Sequence, residues 1–185
     1  PDKLGVCRVR QNRDGTLYTL NYAAVSSAAA DPIEKKPLFH LFPGSLAFSL
    51  GGWGCNFHCK DCQNWQIACV DGLPSESQTI SPEAAIDATR RHHCACIAWT
   101  YNEPAMWFEY TLDSAKLARQ NKLYTVYVTN GFLTAEALDI IGPFLDAWRV
   151  DIKGFSDDLY RKLDTVSKWR GILDVAKRAK DKWHM

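Results

Sequence analysis

The sequence lacks a strong net charge, a long apolar run, a secretion signal and a paired-cysteine framework, and each absence excludes a class of protein. Twenty-two basic residues stand against twenty-one acidic ones, a formal charge of +1, so no global field draws the chain to nucleic acid or to an anionic membrane. Partners must be recognised locally. No apolar run approaches the length of a membrane span, and "PDKLGVCRVR" lacks the charged, apolar and small-residue segments of a secretion signal. The expected address is cytoplasmic, with neither nucleic acid nor membrane as partner. The seven cysteines, Cys7, Cys55, Cys59, Cys62, Cys69, Cys94 and Cys96, are odd in number and follow no framework spacing. That usage suits reduced thiols that bind metal better than it suits disulfides.

What is present is enough for one fold: 185 residues, 46% hydrophobic and 23% charged. Residues 1–44 differ in texture from the rest. "CRVRQNRDGTLYTLNY" alternates apolar and polar residues around Asp14-Gly15, which predicts a hairpin. "DPIEKKPLFHLFPGS" carries Pro32, Pro37 and Pro43 and is expected to run extended, as a linker laid across the core. From residue 45 to residue 185 one theme repeats: a short apolar run, a polar knot, a helical segment. Strands are expected at 45–51, 96–101, 124–130 and 147–153. Helices are expected near 82–92, 105–121 and 135–141, the first capped by Ser81 with Pro82 behind it and the third capped by Thr134. A last helix, "KWRGILDVAKRAKDKW", puts Trp169, Ile172, Leu173, Ala176 and Trp183 on one face, its basic residues forming the solvated side. Strands alternating with helices mean an α/β fold of parallel units, either a barrel or an open doubly wound sheet.

Each polar knot follows a strand: the cysteines after the first, Asn102 and Glu103 after the second, Asn130 and Gly131 after the third, Asp151 and Lys153 at the end of the fourth. In parallel β/α architectures active sites form at that end of the strands. Cys55, Cys59 and Cys62 are spaced so that one loop can aim three sulfurs at one point. Structural zinc wants four closed ligands, with His58 or Cys69 as candidates for the fourth; an iron-sulfur cubane on three thiolates keeps one iron open for chemistry. Both readings stand on spacing alone, the first giving a zinc-stabilised binding module without catalysis. Cys69, Cys94 and Cys96 read as small core residues. His92 and His93 read as a helix terminus. Asp151 and Lys153 alternate along a strand and so face the same way, as a functional pair or as a plain ion pair.

"CNFHCKDC" resembles the cysteine signature of radical S-adenosylmethionine (SAM) enzymes. With "DPIEKKPLFHLFPGS", "GCNFHCKDCQNW", "TYNEP", "VTNGF" and "DIKGFSDDLYRKL", nearly the whole chain resembles the pyruvate formate-lyase activating enzyme-like group, and within it the AmmeMemoRadiSam system subgroup. The resemblance implies a TIM-like (β/α) barrel with about four of its six units present, preceded by the end of a longer N-terminal segment to which Cys7 would bring the last ligand of a second metal site. It implies a 4Fe-4S cluster on Cys55, Cys59 and Cys62 whose open iron binds SAM, and reductive cleavage to a 5′-deoxyadenosyl radical. An electron donor such as flavodoxin or ferredoxin follows, and so does a protein or small-molecule substrate, glycyl-radical enzyme activation among the options. Glu103 would receive the methionine ammonium with Asn102 beside it, and Thr129 and Asn130 would lie near its carboxylate or the ribose, with Asp151 and Lys153 also at the cofactor. Two positions depart from the group: Val128 stands where an aspartate usually precedes Thr-Asn-Gly, leaving Arg149 to supply charge, and Asp61 replaces an aromatic residue, leaving Phe57 or Trp65 as stacking faces.

Overall fold

Asp14 and Gly15 both adopt positive φ, 49° and 86°, the conformation a two-residue hairpin turn needs. They join β1 (Arg10–Arg13) to β2 (Thr16–Thr19) in the antiparallel ribbon the sequence predicts. In the computed structural model residues 3–163 and 168–185 are described. The further strands are β3 (Ala24–Val25), β4 (Ser27–Pro32), β5 (Leu46–Gly51), β6 (Gln78–Thr79), β7 (Cys96–Trp99), β8 (Tyr124–Thr129) and β9 (Ala147–Val150). The helices are α1 (Trp65–Ala68), α2 (Pro82–Arg91), α3 (Phe108–Gln120), α4 (Ala135–Ile141), α5 (Asp157–Lys162) and α6 (Arg170–Trp183). The caps are those the sequence marks: Ser81 Oγ accepts from Ala84 N and Thr134 Oγ1 from Ala137 N, both at 3.2 Å.

β5, β7, β8 and β9 lie side by side and parallel, each joined to the next through a helix, and β4 adds an antiparallel edge in the order β4-β5-β7-β8-β9. The sequence reading did not include β4. Its "SAAADP" has too little bulk to announce a strand, yet all six residues pair with β5. The two faces of the sheet differ in bulk. Phe48, Leu50, Ile97, Trp99 and Tyr127 pack under α2 and α3, whereas Ala47, Cys96, Ala98, Val126 and Ala147 present small side chains to the other face. There Ile33, Leu38 and Leu41 cover them. The segment read as a linker is therefore part of the core.

That segment also departs from the expected extended path. Ile33–Lys35 makes a 3-10 turn, closed by Lys36 N donating to Ile33 O at 2.9 Å, because Lys35 and Lys36 fold back onto Asp31. The strand expected to reach residue 153 ends at Val150, so Asp151 and Lys153 lie just beyond it and are not strand residues. In α6 the buried positions are Ile172, Val175 and Ala179, while Leu173 and Ala176 flank them. Among the described residues β9 has no strand on its outer side.

Ile33 is fully buried, so Ile33→Ala should cost about 2–5 kcal/mol in urea unfolding. A loss within about 0.5 kcal/mol, as at an ordinary surface position, would return the segment to the status of a linker.

Candidate active site at the strand ends

The turn leaving β5 leaves no room for side chains at two positions. A Cβ on Gly52 would meet the Trp107 ring at 2.8 Å, and one on Gly54, at φ 81°, would meet the Cys7 carbonyl oxygen at 2.4 Å. This close passage delivers the chain to Cys55. Asparagines then hold the cysteine loop. Asn102 accepts from Gly52 N at 3.0 Å and donates to the Gly54 carbonyl at 2.7 Å; Asn64 donates to the Tyr101 carbonyl at 2.7 Å. Asn130 donates to Asn56 at 2.7 Å and reaches Cys55 Sγ at 3.8 Å. The loop is thereby fixed to the ends of both β7 and β8.

Around it opens a cavity of about 620 Å³. All nine residues singled out by the sequence line it: Cys55, Cys59, Cys62, Asn102, Glu103, Thr129, Asn130, Asp151 and Lys153. Glu103 is its most constrained member, 1% exposed. Its carboxylate accepts from Ala105 N at 2.9 Å, Thr129 Oγ1 at 2.8 Å and Asn130 N at 2.7 Å. Burial pushes its pKa up to about 7, against those three hydrogen bonds, which favour the ionised form. Burial also pushes the Cys55 thiol well above its ordinary range, with the Glu103 charge adding to the effect, and it raises Cys59. A metal binding here must displace those protons. Past β9, Asp151 pairs with Arg149 and, at 3.2 Å, with Lys153, while Lys153 N donates to Tyr160 Oη at 3.0 Å.

Other expectations separate. Phe57 lines the cavity and packs against Phe132 and Tyr160, whereas Trp65 is 60% exposed and does not line it. His58, Asp61 and Cys69 are not among its lining residues. Cys69 is exposed rather than a core residue, because α1, with Cys69 as its C-cap, is a single turn at the surface; Cys94 and Cys96 are buried as read. His92 caps the C-terminus of α2. Among the described residues no group of three or more His, Cys, Asp or Glu is gathered closely enough for one metal ion. The thiols of a polynuclear cluster each take a different iron and stand farther apart than the ligands of one ion. Sequence reasoning missed Asp31, Lys36 and Tyr101, which also line the cavity. The signal was present, since "DPIEKKPLFHLFPGS" is one of the segments carrying the resemblance.

The model of the Radical SAM superfamily matches residues 52–184, from the glycine turn before the cysteines to the end of α6. The chain belongs to the radical SAM superfamily. Among curated proteins it is 39% identical over 178 residues to the uncharacterized protein MJ0808 of Methanocaldococcus jannaschii, covering 95% of this chain and 52% of that one. It is 25% identical over 130 residues to the uncharacterized protein MJ0674 of the same organism, covering 68% and 37%. The chain thus spans about half the length of MJ0808. Among solved structures it resembles QueE from Escherichia coli, with a TM-score of 0.43 and 16% identity over 60% of this chain and 54% of that one. Membership of the radical SAM superfamily implies a four-iron cluster and SAM. The residues present fit that pair: three thiols on one loop, a buried carboxylate and the cationic side chains of Arg149 and Lys153, among others, share one cavity.

Glu103 generates a signed pH prediction. Its folded pKa, about 7, lies above the ordinary 4.5, so the folded state holds a proton that the unfolded chain has released. Its contribution is fully present below pH 4.5 and is lost as pH rises through about 7. The stability gap between wild type and Glu103→Gln should therefore shift against wild type by about 3 kcal/mol between pH 4.5 and pH 8. Chemical unfolding at the two pH values measures it, and a gap independent of pH would refute the assignment.

Proposed function

We propose that this radical SAM chain is an oxidoreductase that cleaves SAM reductively and draws a hydrogen atom from its substrate, within a partial TIM-like β/α barrel of the pyruvate formate-lyase activating enzyme-like, AmmeMemoRadiSam kind. Cys55, Cys59 and Cys62 hold the 4Fe-4S cluster, and when bound the cluster and SAM supply one chemistry: an electron breaks the sulfonium, giving methionine and a 5′-deoxyadenosyl radical. The observation that carries this reading is the gathering of three loop cysteines and six polar residues from the ends of three further strands around one cavity.

The chain's own residues do the positioning. Asn102 and Asn64 fix the loop that presents the thiols. Glu103 has about four lone-pair positions and spends three on the fold, which leaves one for the ammonium of the methionine moiety. Thr129 and Asn130, held by that same carboxylate, line the wall beside it. Lys153 and Arg149 share Asp151 and keep a surplus positive charge for the methionine carboxylate. Phe57 brings an apolar face that limits water. A flavodoxin or ferredoxin would serve as the electron donor to a low-potential cluster held here, with the cytoplasm as the protein's address. Activation of a glycyl-radical enzyme is one use of such a site.

Anaerobic reconstitution should load about four iron and four sulfide per chain. The variant with Cys55, Cys59 and Cys62 all changed to alanine should load neither. With dithionite and SAM the wild type should release 5′-deoxyadenosine and methionine. One zinc without sulfide would sink the reading and leave a zinc-stabilised binding module.

A further inference from the structure

The cavity has a second polar wall that the function proposed above leaves unused. Asp31, near the end of β4, accepts from Lys35 Nζ at 3.0 Å, Lys36 Nζ at 2.9 Å and Tyr101 Oη at 2.6 Å. Burial alone would raise the Asp31 carboxyl, but these three bonds hold it well below the usual range, so it is an anion. The Lys36 ammonium lies 4.9 Å from the centroid of the Tyr101 ring. Asp31, Lys35, Lys36 and Tyr101 all line the same cavity as the thiols.

Two features exceed what folding requires. Tyr101 sits at φ 74°, a conformation that is strained for a bulky aromatic residue and persists where its surroundings over-determine it. Here they do: the phenol is fixed by Asp31, the ring lies against Lys36, and the carbonyl is tied to Asn64 of the cysteine loop. The second feature is the Lys36 side chain, 3% exposed. Its ammonium has three N–H donors, and among the described residues its one hydrogen bond goes to Asp31. A buried ammonium with unspent donors is costly unless something accepts from them.

We propose that Lys36, aimed by Asp31 and Tyr101, binds a carboxylate of the substrate on this wall of the cavity. The inference rests on the cavity being the active site. Two lysines against one carboxylate leave a single surplus positive charge. A singly charged carboxylate neutralises it, whereas a phosphate dianion would leave an uncompensated charge beside a buried wall. Lys35, 64% exposed, can leave Asp31 to follow the ligand, while Lys36 cannot move far.

The test is an NMR titration of the full chain with carbon-13 acetate, with acetamide and inorganic phosphate as competitors, before and after cluster reconstitution. Lys36→Met should weaken acetate binding by roughly tenfold, the loss expected for one charge-assisted contact. Asp31→Asn, which frees Lys36 from its internal acceptor, should retain or tighten it, and Lys36→Arg should restore most of it. Acetamide should not compete, and phosphate should compete more weakly than acetate does. Acetate binding indifferent to Lys36→Met, lost in Asp31→Asn, or lost in Lys153→Met while Lys36→Met keeps it, would overturn the proposal. So would phosphate binding more tightly than acetate. If Lys36→Met fails to fold, Asp31→Asn and Lys36→Arg still decide it. Iron and sulfide are counted on the same samples, so failure to load a cluster sinks the radical reading separately from the acetate result.

Discussion

A carboxylate with almost no solvent exposure ties the site together. Glu103 follows β7 and accepts from Thr129 and from the backbone of Asn130 at the end of β8. Asn130 in turn reaches Asn56 and Cys55 on the loop that follows β5. Three neighbouring parallel strands are thus joined at their C-terminal ends through two side chains, Glu103 and Asn130. Removing the Glu103 carboxylate would leave three buried donors, Ala105 N, Thr129 Oγ1 and Asn130 N, without their acceptor. The extended backbone at Glu103, ahead of Pro104, is what a residue before proline adopts, so "TYNEP" specifies both the carboxylate and its direction.

The two faces of the sheet differ in bulk. Bulky residues fill the face under the helices, while alanines, a cysteine and a valine line the other. A sheet face made of small residues needs a cover, and residues 33–41 provide it with Ile33, Leu38 and Leu41. The same segment carries Lys35 and Lys36 to the cavity wall. Core packing and cavity chemistry on this face therefore share one stretch of chain.

Much of this was legible beforehand for identifiable reasons. Parallel strands covered on both faces read as apolar runs, so β5, β7, β8 and β9 could be placed; Ser81 and Thr134 marked helix starts because their oxygens meet orphan amides. The cysteine spacing and the strand-end polar residues announced the cavity. What was hidden depends on contacts distant in sequence. β4 is a run of small residues that becomes a strand only by pairing with β5. Lys36 looks like a surface lysine until Asp31 and Tyr101, 70 residues apart, converge on it. Cys69 looks apolar by its neighbours but sits at the end of a one-turn surface helix. The end of β9 at Val150 follows from no local signal, since "VDIK" keeps the alternation of a strand.

The central claim is that the three cysteines hold a cluster that SAM touches directly. Electron paramagnetic resonance of the dithionite-reduced, reconstituted protein tests it most directly, recorded with and without SAM. The account predicts a reduced-cluster signal in the wild type that changes shape and position when SAM is added. A reduced-cluster signal identical with and without SAM would contradict it.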